Sequence, residues 1–348
     1  MTIDKNQPKS LCIVMLGDIS ETIHILPVAN TLKRTWPQTK IAWVIQSSLE
    51  TLVQGHPAID DFITYKKQKG LNTLIGLADL SQDLKKYQFD IALIMQSHLE
   101  DSIIAGIIPA KRKIGFDATR TKNIHRFFTN EKIPIHTPQH IQEEYFEFLN
   151  YLNIDTEAVE WDIHLSDEER KDQDDFFQEI KKPVSAVVVG TDHPAKNWTA
   201  EGYASLLEEL EFTHGLQTIL IAESSPIAQE MAEHIMSLTK ARPLEILGSD
   251  FRRILYILDI SVLTVSPDTG LLHISRALET PVVGLYGYTN PKRYGPYRRF
   301  YDLVVDGYAE FPGEEYPISM ANRDGMGRIT KEMVMEKVEL AIEKYLSP

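Results

Sequence analysis

The sequence SPDTGLLH at residues 266–273, followed by the apolar run PVVGLYG at 281–287, decides the fold of this chain. Residues 260–265 before it are mostly apolar, so the whole segment is typical of a strand, a tight turn, a short helix and a second strand. Such a βαβ unit opens its turn onto a helix N-terminus. Backbone N–H groups without a helical partner, together with the helix dipole, favour an anion there. The sequence therefore predicts a diphosphate site at Thr269, Gly270 and Leu271.

Two side chains flank this turn. Asp268 either caps the helix or accepts a hydrogen bond from a ligand hydroxyl. His273, in the first helical turn, is either a structural histidine or a ligand contact. Gly270 lacks a Cβ, so a ligand can approach the backbone closely.

Strand-like and helix-like segments alternate twice along the chain, once before residue 152 and again after residue 184. The strands are short and apolar on both faces, which is typical of parallel sheets covered by helices. We therefore expect an α/β protein with two Rossmann-like doubly wound domains that face each other across a cleft, with ligands at the carboxyl ends of both sheets. The predicted divisions are a first Rossmann-like domain at 1–160, a linker at 161–182, a second Rossmann-like domain at 183–328 and a final helix at 329–348.

The composition indicates which partners and which location to expect for this protein. The net charge of −14 argues against nucleic-acid binding. Residues 62–126 nevertheless hold 11 basic and 6 acidic residues, which indicates an anionic partner for the first domain. No segment approaches the roughly 20 apolar residues of a membrane span, and the polar N-terminus predicts a cytoplasmic protein. The single cysteine, Cys12, excludes an internal disulfide.

The pattern S-x-D-T-G-L-x-H, followed by P-V-V-G-L-Y-G-x-T-x-P, resembles the ADP-heptose:lipopolysaccharide heptosyltransferases, glycosyltransferase family 9. The resemblance implies a GT-B fold and an inverting, metal-independent transfer of a heptose or related sugar from an ADP-sugar, without a cofactor. It also implies an anionic, lipid-linked saccharide of the lipopolysaccharide inner core as acceptor. The acceptor would bind the domain at 1–160 and the nucleotide sugar the domain at 183–328, with the final helix at 329–348 crossing back to the first domain. The enzyme would then be peripheral at the inner face of the cytoplasmic membrane.

The donor residues follow from the same resemblance. In the loop GTDHPAKNW at 190–198, Lys196 and Trp198 match the family's Lys-x-Trp. A fixed ammonium there would stabilise the charge that develops on the leaving diphosphate, although an exposed lysine without a role is the alternative. Thr191 would add a hydroxyl, and Glu223, after the strand at 218–222, would contact the ribose. The predicted donor set is Thr191, Lys196, Glu223, Asp268, Thr269, Gly270, Leu271 and His273.

The loop LGDISETIHILP at 16–27 leaves the catalytic base open between two carboxylates. In the family an aspartate after glycine precedes a helix containing H-x-L-P, and this aspartate is the base. An ungapped register places that pair on Ser20-Glu21, whereas the literal pair Gly17-Asp18 lies three residues earlier. The register favours Glu21, and Asp18 remains the alternative. In a third interpretation Asp18 or Ser20 only caps the helix and Glu21 only interacts favourably with the helix dipole, in an altered or inactive enzyme.

The acceptor site is predicted from basic residues. Arg120 matches a family arginine that meets anionic groups, and Lys66, Lys67 and Lys69 would complete a clamp for phosphate or carboxylate. Basic loop residues are also common on any surface. No metal-ligand spacing is present. Two rival functions stay open, a nucleotide-sugar-binding protein without turnover and a nucleotide-sugar epimerase of the same two-domain form.

Overall fold

The computed structural model describes residues 7–68, 70, 72–96, 99–121, 128–248 and 251–346. The chain divides into two compact units. The first domain comprises Met1–Thr137 with Gln142–His164, and the second comprises Pro138–Ile141 with Leu165–Pro348.

The first domain is built on one parallel six-stranded sheet in the order β3-β2-β1-β4-β5-β6. Its strands are β1 (Ser10–Val14), β2 (Lys40–Gln46), β3 (Asp61–Tyr65), β4 (Phe89–Ile94), β5 (Ala110–Gly115) and β6 (Glu131–Lys132). Its helices are α1 (Ile19–Thr35), α2 (Glu50–Val53), α3 (Asn72–Leu84), α4 (Leu99–Ile107) and α5 (Ile141–Tyr151). The central strands are buried on both faces, as their apolar sequences predict. The strand order reverses between β1 and β4, the point where doubly wound sheets bind ligands.

The second domain repeats this topology, with the order β12-β11-β10-β7-β8-β9. Its strands are β7 (Val184–Val189), β8 (Gln217–Ala222), β9 (Leu244–Leu247), β10 (Leu263–Pro267), β11 (Val282–Tyr286) and β12 (Val304–Asp306). Its helices are α6 (Asp167–Phe177), α7 (Ala200–Glu208), α8 (Pro226–Leu238), α9 (Phe251–Ile260), α10 (Gly270–Ala277), α11 (Pro291–Tyr294) and α12 (Lys331–Ala341). The order reverses between β7 and β10, so the two domains have equivalent switch points.

The predicted linker at 161–182 differs from the structure. It contains α6, whose first turn carries a capping box between Ser166 and Glu169. Glu169 also forms a bidentate ion pair with Arg252 of α9, with 2.5 Å between Oε2 and Nη2. The acidic segment is therefore a helix of the second domain.

The final helix packs on the second domain. Val334, Val338 and Ala341 of α12 are fully buried in the hydrophobic core of that domain. The return of this helix to the first domain stays a prediction. Among the described helices none is long and apolar enough to cross a lipid bilayer.

Candidate functional site

Three neighbouring strands of the second domain deliver polar side chains to the carboxyl edge of their sheet. Lys196 follows β7, Asp268 follows β10 and Thr289 follows β11. The Lys196 Nζ lies 2.9 Å from Asp268 Oδ2 and 3.1 Å from the Asp268 carbonyl oxygen. Thr289 donates its hydroxyl to the same carboxylate oxygen at 2.7 Å. The residues on either side of the switch point therefore converge on one place.

The Asp268 carboxylate is almost completely buried but stays charged. His273 Nε2 lies 3.7 Å from its Oδ1. Burial raises the pKa of Asp268, but the adjacent His273 imidazole and the charge of Lys196 outweigh burial and hold the pKa far below its ordinary value. This carboxylate is therefore a permanent counter-ion for the Lys196 ammonium.

The first turn of α10 keeps its backbone donors for an anion. Thr269 is the N-cap residue, and its side chain makes no capping hydrogen bond. Instead the Thr269 Oγ1 lies 3.1 Å from Ser266 Oγ. The capping role that the sequence left open for Asp268 is wrong, because its carboxylate is directed to Lys196 and Thr289. The N–H groups that begin α10, an eight-residue helix, have the arrangement that binds phosphate in other proteins.

The loop after β7 holds Lys196 in place. Gly190 has a φ of +67°, and a Cβ there would lie 2.4 Å from the Cα of Ala228, so only glycine fits. Thr191 donates its hydroxyl to the His193 carbonyl oxygen at 2.8 Å, and its N–H donates to Asn197 Oδ1 at 2.7 Å. The structure therefore gives Thr191 a role in shaping the loop, and its role toward phosphate stays a prediction.

Trp198 fixes the end of the same loop. Its indole is buried and donates from Nε1 to the Ile329 carbonyl oxygen at 2.8 Å. In the Lys-x-Trp motif the buried tryptophan thus holds the loop in place, and the lysine side chain lies at the carboxyl edge of the sheet. Glu223, which directly follows β8, lies at this edge next to the β7 loop and is half-buried.

In the first domain the equivalent switch point carries Glu21 and Asp18. Asp18 is the N-cap of α1, and its Oδ1 accepts the Glu21 N–H at 2.9 Å. Glu21 returns the interaction, since its Oε2 accepts the Asp18 N–H at 3.1 Å. The two competing carboxylates thus form one capping box. The capping role that the third interpretation gave to Asp18 is confirmed, and the second hydrogen bond, to the Glu21 carboxylate, was not predicted.

The remaining contacts distinguish the two carboxylates. The Tyr145 hydroxyl of α5 lies 3.4 Å from Glu21 Oε1, and Gln96, after β4, lies 3.5 Å from Oε2. Glu21 is half-buried at the switch point, whereas Asp18 is exposed. A Cβ on Gly17 would lie 1.9 Å from Glu21 Oε2, so this glycine makes room for the glutamate. The geometry favours Glu21 as the group that could take a proton.

Neighbouring strands hold the β1–α1 loop around this carboxylate. Gln46, at the end of β2, donates from Nε2 to the carbonyl oxygens of Leu16 and Gly17, the latter at 2.8 Å. Gln96 accepts the Leu16 N–H at 2.6 Å. The two glutamines position the loop from both sides of β1.

Comparison with known proteins identifies the family. The sequence model of glycosyltransferase family 9 (heptosyltransferase) matches residues 77–318. This chain belongs to glycosyltransferase family 9. It is 30% identical over 317 residues to the lipopolysaccharide core heptosyltransferase OpsX of Haemophilus influenzae, a match that covers 91% of this chain and 89% of OpsX.

Solved structures share the fold of this glycosyltransferase. The glycosyl transferase family 9 protein of Veillonella parvula superposes with a TM-score of 0.83 at 21% identity, over 97% of this chain and 98% of that one. The E. coli heptosyltransferase WaaC with ADP gives a TM-score of 0.74 at 19% identity, over 95% and 99% of the two chains. The predicted GT-B class with two Rossmann-like domains is confirmed.

Arg120 of the glycosyltransferase has a different position from the one predicted for an acceptor clamp. Its Nε lies 2.5 Å from Asp117 Oδ2, and its Nη2 lies 2.5 Å from Glu147 Oε2. Both carboxylates are buried, and the guanidinium also stacks 4.9 Å from the centre of the Phe116 ring. Burial lowers the pKa of Arg120, but the hydrogen bonds that its guanidinium donates to Glu147 and Asp117 outweigh burial and raise the pKa. Arg120 therefore belongs to a structural ion-pair network. Two carboxylates of the protein itself bind the guanidinium that was predicted to bind an anionic acceptor.

The structure does not bring the predicted acceptor lysines to Arg120. Lys66 and Lys67 are exposed after β3, whereas Arg120 follows β5. Four strand positions separate β3 from β5, which is about 19 Å. Lys69 lies outside the described residues. Lys66 and Lys67 therefore follow a different part of the sheet from Arg120, and the role of these residues in acceptor binding stays a prediction.

Several site residues escaped the sequence analysis. They are Thr289, Tyr145, Gln46, Gln96, Asn197 and Ser266. The sequence contained one indication of Thr289, since this residue is the threonine of the pattern P-V-V-G-L-Y-G-x-T-x-P. An uncharged hydroxyl, however, does not by itself indicate a binding role. Among the described residues no group of three or more histidine, cysteine, aspartate or glutamate side chains is arranged to hold a metal ion.

Proposed function

We propose that this glycosyltransferase moves a heptose, or a closely related sugar, from an ADP-sugar to the inner core of lipopolysaccharide, with inversion and without a metal. The observation that carries the proposal is the cluster of Lys196, Asp268 and the α10 N-terminus at the switch point of the second domain. Relatives named as lipopolysaccharide heptosyltransferases, and the ADP in the WaaC structure, support the donor and the acceptor.

The second domain would bind the donor diphosphate. The N–H groups at the start of α10 and the Lys196 ammonium both present positive charge to one place, which is what a leaving diphosphate requires. This charge is fixed before the reaction, so it stabilises the transition state without rearrangement. It supplies the role that a divalent cation plays in other transferases.

The first domain would supply the base. An acceptor hydroxyl attacks the anomeric carbon of the heptose, the bond from that carbon to the diphosphate oxygen breaks, and its electron pair leaves with ADP. The hydroxyl proton passes to the Glu21 carboxylate. One oxygen of this carboxylate keeps its contact with the Tyr145 hydroxyl. Attack opposite to the leaving group inverts the anomeric carbon.

Two conservative substitutions test the base. Glu21→Gln and Asp18→Asn both keep a side-chain oxygen for the capping box, so the helix start should remain intact in each. We expect Glu21→Gln to lower kcat by about 10²- to 10⁴-fold while the affinity for the donor stays unchanged. Asp18→Asn is the matched control and should retain nearly the full rate.

The reverse result would assign the base to Asp18, and full activity in both variants would remove the base from this loop. Donor binding without any sugar transfer in the native protein would support the nucleotide-sugar-binding alternative. Release of an altered free nucleotide sugar without an acceptor would support the epimerase. Activity that disappears with EDTA and returns with a divalent cation would overturn the metal-free step.

A donor screen tests the substrate directly. Thermal unfolding would be measured with ADP-, UDP- and GDP-sugars, since a ligand that binds the native state raises the Tm according to its affinity. We expect the ADP-heptose to give the largest rise. The anomeric configuration of the product, measured by NMR, tests inversion.

A further inference from the structure

Two loops of the second domain meet a second time beside the cluster at Asp268. The His193 ring, in the loop after β7, lies 4.5 Å from the Tyr288 ring, in the loop after β11, between ring centres. His193 precedes Lys196 by three residues, and Tyr288 directly precedes Thr289. Lys196 and Thr289 both contact Asp268 Oδ2. The ring pair therefore lies next to the charged cluster that is proposed to bind the diphosphate.

Backbone hydrogen bonds fix the positions of both residues. The His193 carbonyl oxygen accepts the Thr191 hydroxyl at 2.8 Å and the Lys196 N–H at 2.9 Å. The Tyr288 carbonyl oxygen accepts the Arg323 N–H at 2.9 Å. His193 is nevertheless exposed and Tyr288 is only half-buried, so a ligand can reach the pair. A contact that is arranged in advance costs little ordering when the ligand binds.

The chemistry of the pair suits a sugar better than a phosphate. The face of an aromatic ring packs against apolar C–H groups, while the phenol hydroxyl and the imidazole nitrogens exchange hydrogen bonds. A sugar ring presents both C–H groups and hydroxyl groups. The family motif assigns neither residue, because position 288 is the unspecified residue of P-V-V-G-L-Y-G-x-T-x-P and His193 lies before Lys-x-Trp.

The strand order indicates which part of the donor would meet the pair. Along the carboxyl edge the strands have the order β11-β10-β7-β8. Glu223, the residue predicted to contact the ribose, follows β8, whereas Lys196 and the start of α10 follow β7 and β10. A sugar nucleotide with its ribose at β8 and its diphosphate at β7 and β10 directs the transferred sugar toward β11. Tyr288 follows that strand, and the nucleobase would lie at the other end of the ligand.

We propose that His193 and Tyr288 form an aromatic surface on which the transferred sugar of the donor packs. C–H groups of the sugar contact the ring faces, and the imidazole and the phenol hydroxyl exchange hydrogen bonds with its hydroxyl groups. Both residues thereby bind the sugar and hold its anomeric carbon in one position. The inference rests on the proposed function only in that the donor is a sugar nucleotide.

Titration calorimetry with ADP and with ADP-heptose separates the sugar from the nucleotide. The full chain would be titrated with each ligand without an acceptor. We expect His193→Ala and Tyr288→Leu each to weaken the binding of ADP-heptose about tenfold, because each removes the contact area of one ring. The affinity for ADP should stay unchanged in both variants. Tyr288→Phe keeps the ring and should recover most of the affinity that Tyr288→Leu loses.

Tyr345→Leu is the matched control. The Tyr345 ring lies 5.1 Å from the Phe300 ring, so this variant breaks another aromatic pair of the same domain. Phe300 precedes β12 and therefore lies at the opposite edge of the sheet from the loops after β7 and β11. We expect Tyr345→Leu to bind ADP and ADP-heptose as the native protein does.

Each outcome decides the role of the pair. Equal weakening of ADP and ADP-heptose would assign the pair to the nucleotide and overturn the inference, as would native affinity for ADP-heptose in both His193→Ala and Tyr288→Leu. An equal loss in Tyr345→Leu would also overturn it, because the effect would then not be specific to the pair. A selective loss of affinity for the sugar nucleotide, in a protein that transfers no sugar to an acceptor, would support the pair and contradict the proposed function instead.

Discussion

Removal of the Lys196 ammonium is the most informative perturbation of the donor site. Lys196→Ala takes away the charge directed at the diphosphate and leaves Asp268 with Thr289 and His273 alone. The Asp268 carboxylate, 8% exposed, would then present an uncompensated negative charge to the donor. Two effects therefore act together, a lost attraction and a new repulsion.

The magnitude follows from the geometry. Two unit charges about 4 Å apart interact by about 4 kcal/mol at the effective dielectric constant of a protein surface. Lys196 is 26% exposed and already paired, so we expect a smaller loss, about 3 kcal/mol in the transition state. This corresponds to a decrease of about two orders of magnitude in kcat.

A double-mutant cycle separates the two effects. Asp268→Asn removes the carboxylate charge, so in the Lys196→Ala background it should relieve the repulsion. The combined loss should then be smaller than the sum of the two single losses by about 1 kcal/mol or more. Steady-state sugar transfer would be measured for all four proteins, with Lys344→Ala as control, because it breaks another lysine-aspartate pair of the second domain at 2.8 Å.

Strictly additive losses would show that Lys196 and Asp268 act independently, and the reasoning from their ion pair would then fail. A native rate in Lys196→Ala would remove the lysine from the leaving-group role. A comparable loss in Lys344→Ala would show that the decrease reflects general destabilisation.

Three further changes test the described contacts. Thr289→Val should lower kcat/KM about tenfold, because it removes the hydroxyl that orients Asp268. Thr289→Ser keeps that hydroxyl and should restore the rate. An unchanged rate in Thr289→Val would contradict this role. Arg120→Met should lower the free energy of unfolding in urea by about 3–5 kcal/mol, because it removes the cation that forms ion pairs with two buried carboxylates. A loss below 1 kcal/mol would refute the structural assignment. The Arg252 ion pair and the Ser166 N–H lower the pKa of Glu169 to about 2, so its stabilisation is present above about pH 4.5 and is lost as the pH falls toward 2. Glu169→Gln should remove about 2–3 kcal/mol near pH 7 and much less near pH 2, whereas a loss that does not change with pH would contradict the ion pair.

The sequence predicts most of the fold because its central strands are buried on both faces. The strand predicted at 218–222 lies within β8, since its apolar run is buried there. The edge strands β6 and β12 escaped because they have two and three residues and carry little apolar pattern. β10 begins at Leu263, later than predicted, because α9 continues through Ile260.

The site was only partly predictable. Backbone patterns revealed the turn at Asp268, and a short motif revealed Lys196, because both are local in sequence. The role of Arg120 depends on Glu147, 27 residues away, and no local pattern shows that partner. The same holds for Glu21, whose contact with Tyr145 joins residues 124 positions apart.

The resident carboxylate beside Lys196 has a consequence for product release. In the proposed reaction, an ammonium without a counter-ion would hold the departing nucleoside diphosphate as strongly as the incoming sugar nucleotide, and each catalytic cycle would end slowly. Asp268, 2.9 Å from Lys196 Nζ, would pair with the ammonium again as the nucleotide dissociates, so that one anion replaces another. Weaker binding of the product would then allow faster turnover.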